Sequence, residues 1–190
     1  MASASQGFDD GVGDIVRGWA RSRPDLDTSG LEVFGRLHRS YLLYRAEINA
    51  GFECYGINEA GFDVLASLRR AEPHYRRTAG DLAKQTLVTT GGLSLRVNRL
   101  EVAGLVVRER DAADARVVYV RLTDDGRRLV DEVADAHFET LSTMLGSVPA
   151  GSRRQLVELL HGLERSLQDK FDPSDPSAVT KHVVLHIMPG

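Results

Sequence analysis

A single cysteine, Cys54, stands in 190 residues, so no disulfide can close within the chain and no paired Cys/His spacing of the zinc type exists. As a small apolar residue Cys54 is expected in the core, a redox-sensing thiol being the rival reading. Long apolar runs are also missing. Nothing approaches the roughly 18 to 20 residues that span a bilayer, and the start MASASQGFDDG lacks a basic stretch followed by an apolar one. A cytoplasmic protein without a membrane partner is therefore expected. Catalytic signatures are absent too: His38, His74, His137, His161, His182 and His186 form no HExxH spacing, and neither a G-x-S-x-G elbow nor a P-loop occurs. This argues against an enzyme, and no metal or cofactor is expected. His137 falls on the apolar side of a periodic segment, where a core histidine is expected.

A basic excess is lacking overall, since the net charge is −3. Net charge averages over the chain, however, whereas phosphate binding depends on where charge sits. Between Arg69 and Arg128 there are 13 basic and eight acidic residues, a local excess of five positive charges that the rest of the chain more than cancels. With 42% hydrophobic and 27% charged residues the composition is that of an ordinary globular domain able to build a core.

Periodicity locates the elements. Residues 11–22, GVGDIVRGWARS, suit a short helix carrying Trp19 and ended by Arg23-Pro24. From Ser29 to Glu53, Phe34, Leu37, Tyr41, Tyr44 and Ile48 recur at spacings of three and four, one face of a long amphipathic helix. Gly56 stops it, and Asn58 caps a helix whose apolar side is Phe62, Leu65, Ala66 and Leu68. Thr78 and Asp81 form a capping arrangement for a short helix with Leu82 and Ala83. Thr89 or Thr90 caps the next, which ends near Ala103-Gly104 and carries Leu93, Val97 and Leu100 on its inner face. Ser94, Asn98 and Arg99 project elsewhere.

Residues 105–110 and 117–122 have the β-branched enrichment of paired strands, with six polar or small residues, Asp111 to Arg116, between them. Thr123 or Asp124 caps a helix with Val130, Val133, His137, Leu141 and Met144 on one side, and Leu156, Leu159, Leu160, Leu163, Leu167 and Phe171 mark a last one. The expected fold is mainly α with a small β-wing. A winged helix-turn-helix, residues 56–128, lies between N-terminal helices, 11–55, and C-terminal dimerisation helices, 129–171. Residues 1–10 are expected to be disordered and 172–190 are unassigned. A small winged domain cannot cover the apolar faces of all the flanking helices, which implies a homodimer, the form that reads a two-fold DNA site.

The segments LVTTGGLSLRVNRLEVAGLV and RERDAADARVVYVRLTDDGRRL, with the order of helices from Val33 to Phe171, resemble the MarR family of winged-helix transcriptional regulators. The extension WARSRPDLDTSGLEVFGRLHRS, followed by GFDVLASLRRAEP, is similar to the urate-responsive branch of that family. The resemblance implies a repressor that holds a pseudo-palindromic operator as a homodimer and is released by a small anionic effector, urate or a related purine. It places effector recognition on Trp19, Asp63, Arg96 and Arg108, with Asp63 able to hold Arg96 while the pocket is empty. DNA contacts are expected from Thr89, Thr90, Ser94, Arg96, Asn98 and Arg99 of the reading helix and from Arg116 of the wing. The family's wing tip has two arginines after its second aspartate; here Asp111-Ala112-Ala113-Asp114-Ala115-Arg116 keeps only the second, so Arg116 either reaches DNA or braces the hairpin. Three rivals remain: a carboxylate or phenolic effector, a switch at Cys54, and a winged-helix adaptor that binds protein instead of DNA.

Overall fold

The computed structural model describes residues 8–85, 92–114 and 116–170. The chain divides into two compact units, Met1–Thr140 and Leu141–Gly190. The elements run α1 (Gly11–Ser22), α2 (Ser29–Glu53), α3 (Glu59–Arg69), β1 (Arg76–Thr78), α4 (Ala79–Gln85), α5 (Leu93–Val102), β2 (Val106–Arg110), β3 (Val118–Leu122), α6 (Asp124–Met144) and α7 (Ala150–Lys170). The described residues are mostly helical with one small antiparallel sheet, as the sequence implies.

Side-chain caps start several of these helices. Asp10 accepts from the Gly13 N–H at 2.7 Å, and Asn58 from the Gly61 N–H at 2.8 Å. Thr78 and Asp81 bond reciprocally: the Asp81 N–H donates to the threonine hydroxyl, which donates to the aspartate carboxylate. Asp10, at the end of the stretch expected to be disordered, belongs to the fold, since it also accepts from Arg36 on α2 at 3.1 and 3.2 Å. The Gly13 N–H and then Arg36 hold its carboxyl below the usual aspartate range.

The core of the first unit lies where α3, α4 and α5 pack on one another and on the sheet. Leu65, Leu68 and Leu82 have no exposed surface there, and burial of each stabilises the fold by about 1.5–3 kcal/mol. Val64, Val97, Leu100, Val106, Val120 and Leu122 complete it. The sheet order is β1-β3-β2, with Arg77 opposite Val120 and Arg108 also opposite Val120 on the other side. Strand β1 is absent from the sequence reading, because Arg-Arg-Thr offers no apolar alternation.

Two expectations need correcting. Cys54 is exposed, not a core residue: it caps the C-terminus of α2 and its Sγ reaches only the Ala50 carbonyl, at 3.4 Å. Helix α5 begins at Leu93, with Gly92 at its N-cap and no side-chain cap, so the described helix starts later than a Thr89 or Thr90 cap implies; both threonines lie outside the described residues.

The expected face of α2 is there, but the protomer buries only its far end. Ile48 and Phe52 are covered, whereas Phe34, Leu37 and Tyr41 stay more than a third exposed, and Leu43 is 73% exposed. In the second unit α7 buries no residue, and Leu156, Val157, Leu159 and Leu160 are open.

His137, expected as a core histidine, is packed by aromatic rings, with centroids 5.2 Å from Phe52 and 5.1 Å from Phe62. Burial pushes its pKa below the ordinary value, against a smaller opposite pull from Glu59. A histidine whose folded pKa is depressed takes up its proton more readily when unfolded. Stability is therefore fully present above about pH 6.5 and is lost as pH falls below it. Urea denaturation at pH 7.5 and pH 5.5 should show this loss, and His137→Phe should diminish it; an equal pH dependence in the variant would assign the effect to other groups.

Candidate nucleic-acid interface and effector cleft

Helix α5 is positioned from three sides. Its inner face, Leu93, Val97 and Leu100, is buried, and it packs on α3, α4 and β2. It ends in a Schellman turn: the Leu105 N–H donates to the Leu100 carbonyl at 2.9 Å and the Gly104 N–H to the Glu101 carbonyl at 3.0 Å. Gly104 takes the left-handed conformation this requires, at φ 73°. The turn leads directly into β2, so reading helix and wing are covalent neighbours. The helix presents its remaining surface outward, with Ser94, Leu95, Asn98 and Arg99 exposed.

On one flank of α5 a cleft of about 440 Å³ is lined by Arg96, Arg99, Leu100 and Ala103, facing Ile57, Asn58 and Gly61 at the start of α3. That volume falls within the usual 300–1,000 Å³ of small-molecule sites; its walls are partly apolar, and two guanidinium groups against the one carboxylate of Glu53 leave it net basic, which suits a planar anion. The other cavity described, between the end of α2 and His137, measures about 40 Å³ and holds no more than water.

Arg108 lies elsewhere. Its backbone N–H donates to Glu101 Oε1 at 3.2 Å, its Nη1 donates to Glu101 Oε2, and its Nη2 donates to Asn98 Oδ1 at 2.5 Å. At about 100° per residue, Asn98 and Glu101 leave the helix roughly 140–160° from Arg96. Of the four residues expected to share an effector pocket, only Arg96 therefore lines the cleft. Asp63 is half-buried on α3 with one carboxylate oxygen covered, and Trp19 is 47% exposed on α1, which packs on α2.

The tether also limits Asn98. Its carbonyl oxygen is used by Arg108, leaving the amide NH₂ as a donor only, and reading adenine needs both groups at once. Glu101 drew no attention in the sequence beyond its charge, though it falls one turn after Asn98 on the same face.

In the wing, Asp111 accepts from the N–H groups of Ala113 and Asp114 at 2.9 and 3.0 Å, which bends the turn and holds its carboxyl below the usual range. Arg116 grips Asp114 with two parallel bonds, each 3.0 Å. It thus takes the bracing role in this state, while its side chain remains 89% exposed. Exposed ion pairs contribute little, so phosphate can exchange with Asp114. Arg110, at the end of β2, is exposed and has no ion pair among the described residues. It is a candidate wing contact that the sequence reading does not include.

A capped helix, a reading helix and a β-hairpin wing bearing exposed arginines define a winged helix-turn-helix DNA-binding protein. Comparison with known proteins places it more narrowly. The MarR family model matches residues 55–117. The HTH-type transcriptional regulator PecS of Dickeya dadantii (strain 3937) is 33% identical over 156 residues, 82% of this chain and 94% of PecS. Among solved structures, Bordetella bronchiseptica BpsR, whose DNA binding is regulated by 6-hydroxynicotinic acid, is 27% identical with a TM-score of 0.62, over 70% of this chain and 92% of BpsR. Sco3205 of Streptomyces coelicolor, a MarR family regulator solved in complex with DNA, shares the fold with a TM-score of 0.67 at 23% identity, over 75% of this chain and 90% of Sco3205. The chain belongs to the MarR family: it is a DNA-binding transcriptional regulator and not an enzyme. No helix among the described residues is long and apolar enough to cross a membrane.

Proposed function

We propose that the chain is a homodimeric repressor of a pseudo-palindromic operator, released when a small planar anion, urate or a related purine, binds against α5. The observation that carries this reading is that α5, which this reading sends into the major groove, is also one wall of the 440 Å³ cleft. A ligand there is in contact with the DNA reader, so it can favour a helix position that the operator does not. Exposed apolar faces on α2 and on α7 support the dimer, because each needs cover that the protomer does not give.

In this reading Ser94, Asn98, Arg99 and Arg110 touch DNA, Arg116 exchanges Asp114 for phosphate, and Arg96 serves both ligand and DNA. Thr89 and Thr90, ahead of α5 in the sequence and outside the described residues, keep their expected DNA contacts. Trp19, Asp63 and Arg108 come to the effector site through the resemblance. Of the three, Arg108 has to leave Glu101 and Asn98 before it can join an effector on the Arg96 flank.

A carboxylate effector is the second reading, favoured by the 6-hydroxynicotinic acid that regulates BpsR. Melting temperatures with urate, xanthine and 6-hydroxynicotinate separate the two. A ligand at a hundred times its Kd should raise the melting temperature by roughly 5–10 °C. The rise should vanish in Arg96→Gln and shrink in Trp19→Phe. A rise with 6-hydroxynicotinate alone would replace the purine by a carboxylate, and no rise with any of the three would remove the anionic effector.

A further inference from the structure

We propose that Glu101 is a positioning residue for DNA binding: with Asn98 it holds Arg108, and this tether sets the angle between the reading helix and the wing. The geometry is specific. Glu101 meets Arg108 at both its backbone N–H and its guanidinium, and Asn98, one turn earlier on α5, takes the other guanidinium nitrogen. Those bonds join the last turn and a half of a rigid helix to the middle of a strand.

The base of the hairpin is fixed by buried Val106, Val120 and Leu122 and by the Thr123 bonds to the Gly104 and Leu105 carbonyls, so the tether governs the lean of the outer half, from Arg108 onward. An attachment at Arg108 limits that lean. The wing's far end carries Arg110 and Arg116, so a change of lean at Arg108 is magnified where phosphates would be met. The hairpin's other ties, β3 to β1 and the packing of β3 on α3 and α4, hold its base and do not reach the tip. The tether is also partly open to water, with the Arg108 and Glu101 side chains 34% and 37% exposed. It therefore adds little to fold stability while still choosing one orientation, as an ion pair with good geometry does.

The sign of the effect separates this role from plain electrostatics. Glu101 is an acid on a helix that approaches phosphate, so removing its charge should tighten DNA binding if charge alone mattered. The tether predicts the opposite. Glu101→Gln is expected to weaken binding to a duplex of the chain's own promoter region by about tenfold. The slope of log affinity against log salt should become shallower by about one for each phosphate that the wing no longer reaches. Fluorescence anisotropy between 50 and 200 mM salt reads both, and the melting temperature should stay within about 2 °C of wild type.

The reversed pair, Glu101→Arg with Arg108→Glu, is the second test. It keeps the net charge, and the Asn98 amide can turn to donate to the new carboxylate; the backbone N–H bond that Glu101 accepts is lost, because arginine has no acceptor, so part of the affinity should return. Equal or tighter binding by Glu101→Gln would overturn the proposal, as would a reversed pair no better than Glu101→Gln. Either failure leaves the effector cleft on the Arg96 flank untouched, because that site is read by melting temperature without DNA.

Discussion

Gly126→Ala is expected to lower the stability of the first unit by about 3 kcal/mol or more, the upper end of what overpacking costs. Gly126 sits in the first turn of α6, where its N–H donates to the Thr123 hydroxyl at 2.9 Å, and that hydroxyl donates to the Gly104 carbonyl at 2.8 Å. The Thr123 N–H also donates to the Leu105 carbonyl, at 3.1 Å. The start of α6 is thus laid onto the turn that ends the reading helix. A β-carbon on Gly126 would overlap the Leu105 carbonyl oxygen and come within 2.9 Å of its carbonyl carbon. Backbone cannot rotate aside as a side chain can, so the variant must either lift α6 from the turn or shift the turn under α5. Gly18→Ala is the matched control: the same added methyl, in α1, meets nothing within 4 Å. There the gain in helix propensity should win, stabilising by roughly 0.5–1 kcal/mol. Urea denaturation should give opposite signs for the two variants; a neutral Gly126→Ala would show that the α6–α5 junction is soft.

That junction also shows what can be read along the chain. The caps at Asn58, Thr78 and Thr123 are legible because a short polar side chain bonds a backbone N–H three residues ahead, a relation contained within four letters. Helices α1 and α2 fall at the expected residues for the same local reasons. Strand β1 is not legible, because Arg76 and Arg77 are held by pairing with β3, more than 40 residues on. Cys54 is misplaced by residue type alone: it follows the last turn of α2 just beyond the buried Phe52, and only the turn of the helix there decides that it faces outward. The partner of Arg108 is hidden in the same way. Glu101 is seven residues away, and only the Schellman turn folds the strand back so that the two meet.

Operator affinity is expected to fall by about a thousandfold or more between 50 and 200 mM salt, and the distribution of arginine partners explains why a chain of net charge −3 should behave so. The 13 basic residues of the central region are not equally available. Arg69 is spent on Asp131 and Glu72, Arg121 on Glu109, Arg128 on Asp125 and Arg108 on Glu101. Among the described residues Arg70, Arg76, Arg77, Lys84, Arg99 and Arg110 have no ion pair; Arg77 instead donates to the Ser67 carbonyl at 3.0 Å, and Arg76 lies over the Tyr119 ring at 4.2 Å. With Arg77 turned to that carbonyl, the five others per protomer, doubled by a two-fold axis, match the roughly six to ten phosphate contacts for which counterion release gives a thousandfold to hundred-thousandfold loss over that range. Arg99→Gln should make the salt slope shallower by about two in the dimer, one phosphate for each copy. The acids outside this region do not enter the count, because separations beyond about 8–10 Å are screened at these salt concentrations. Binding to the promoter duplex that is flat in salt would mean that these cations meet no phosphate, and absence of binding would turn the winged domain from a DNA reader into a surface for protein.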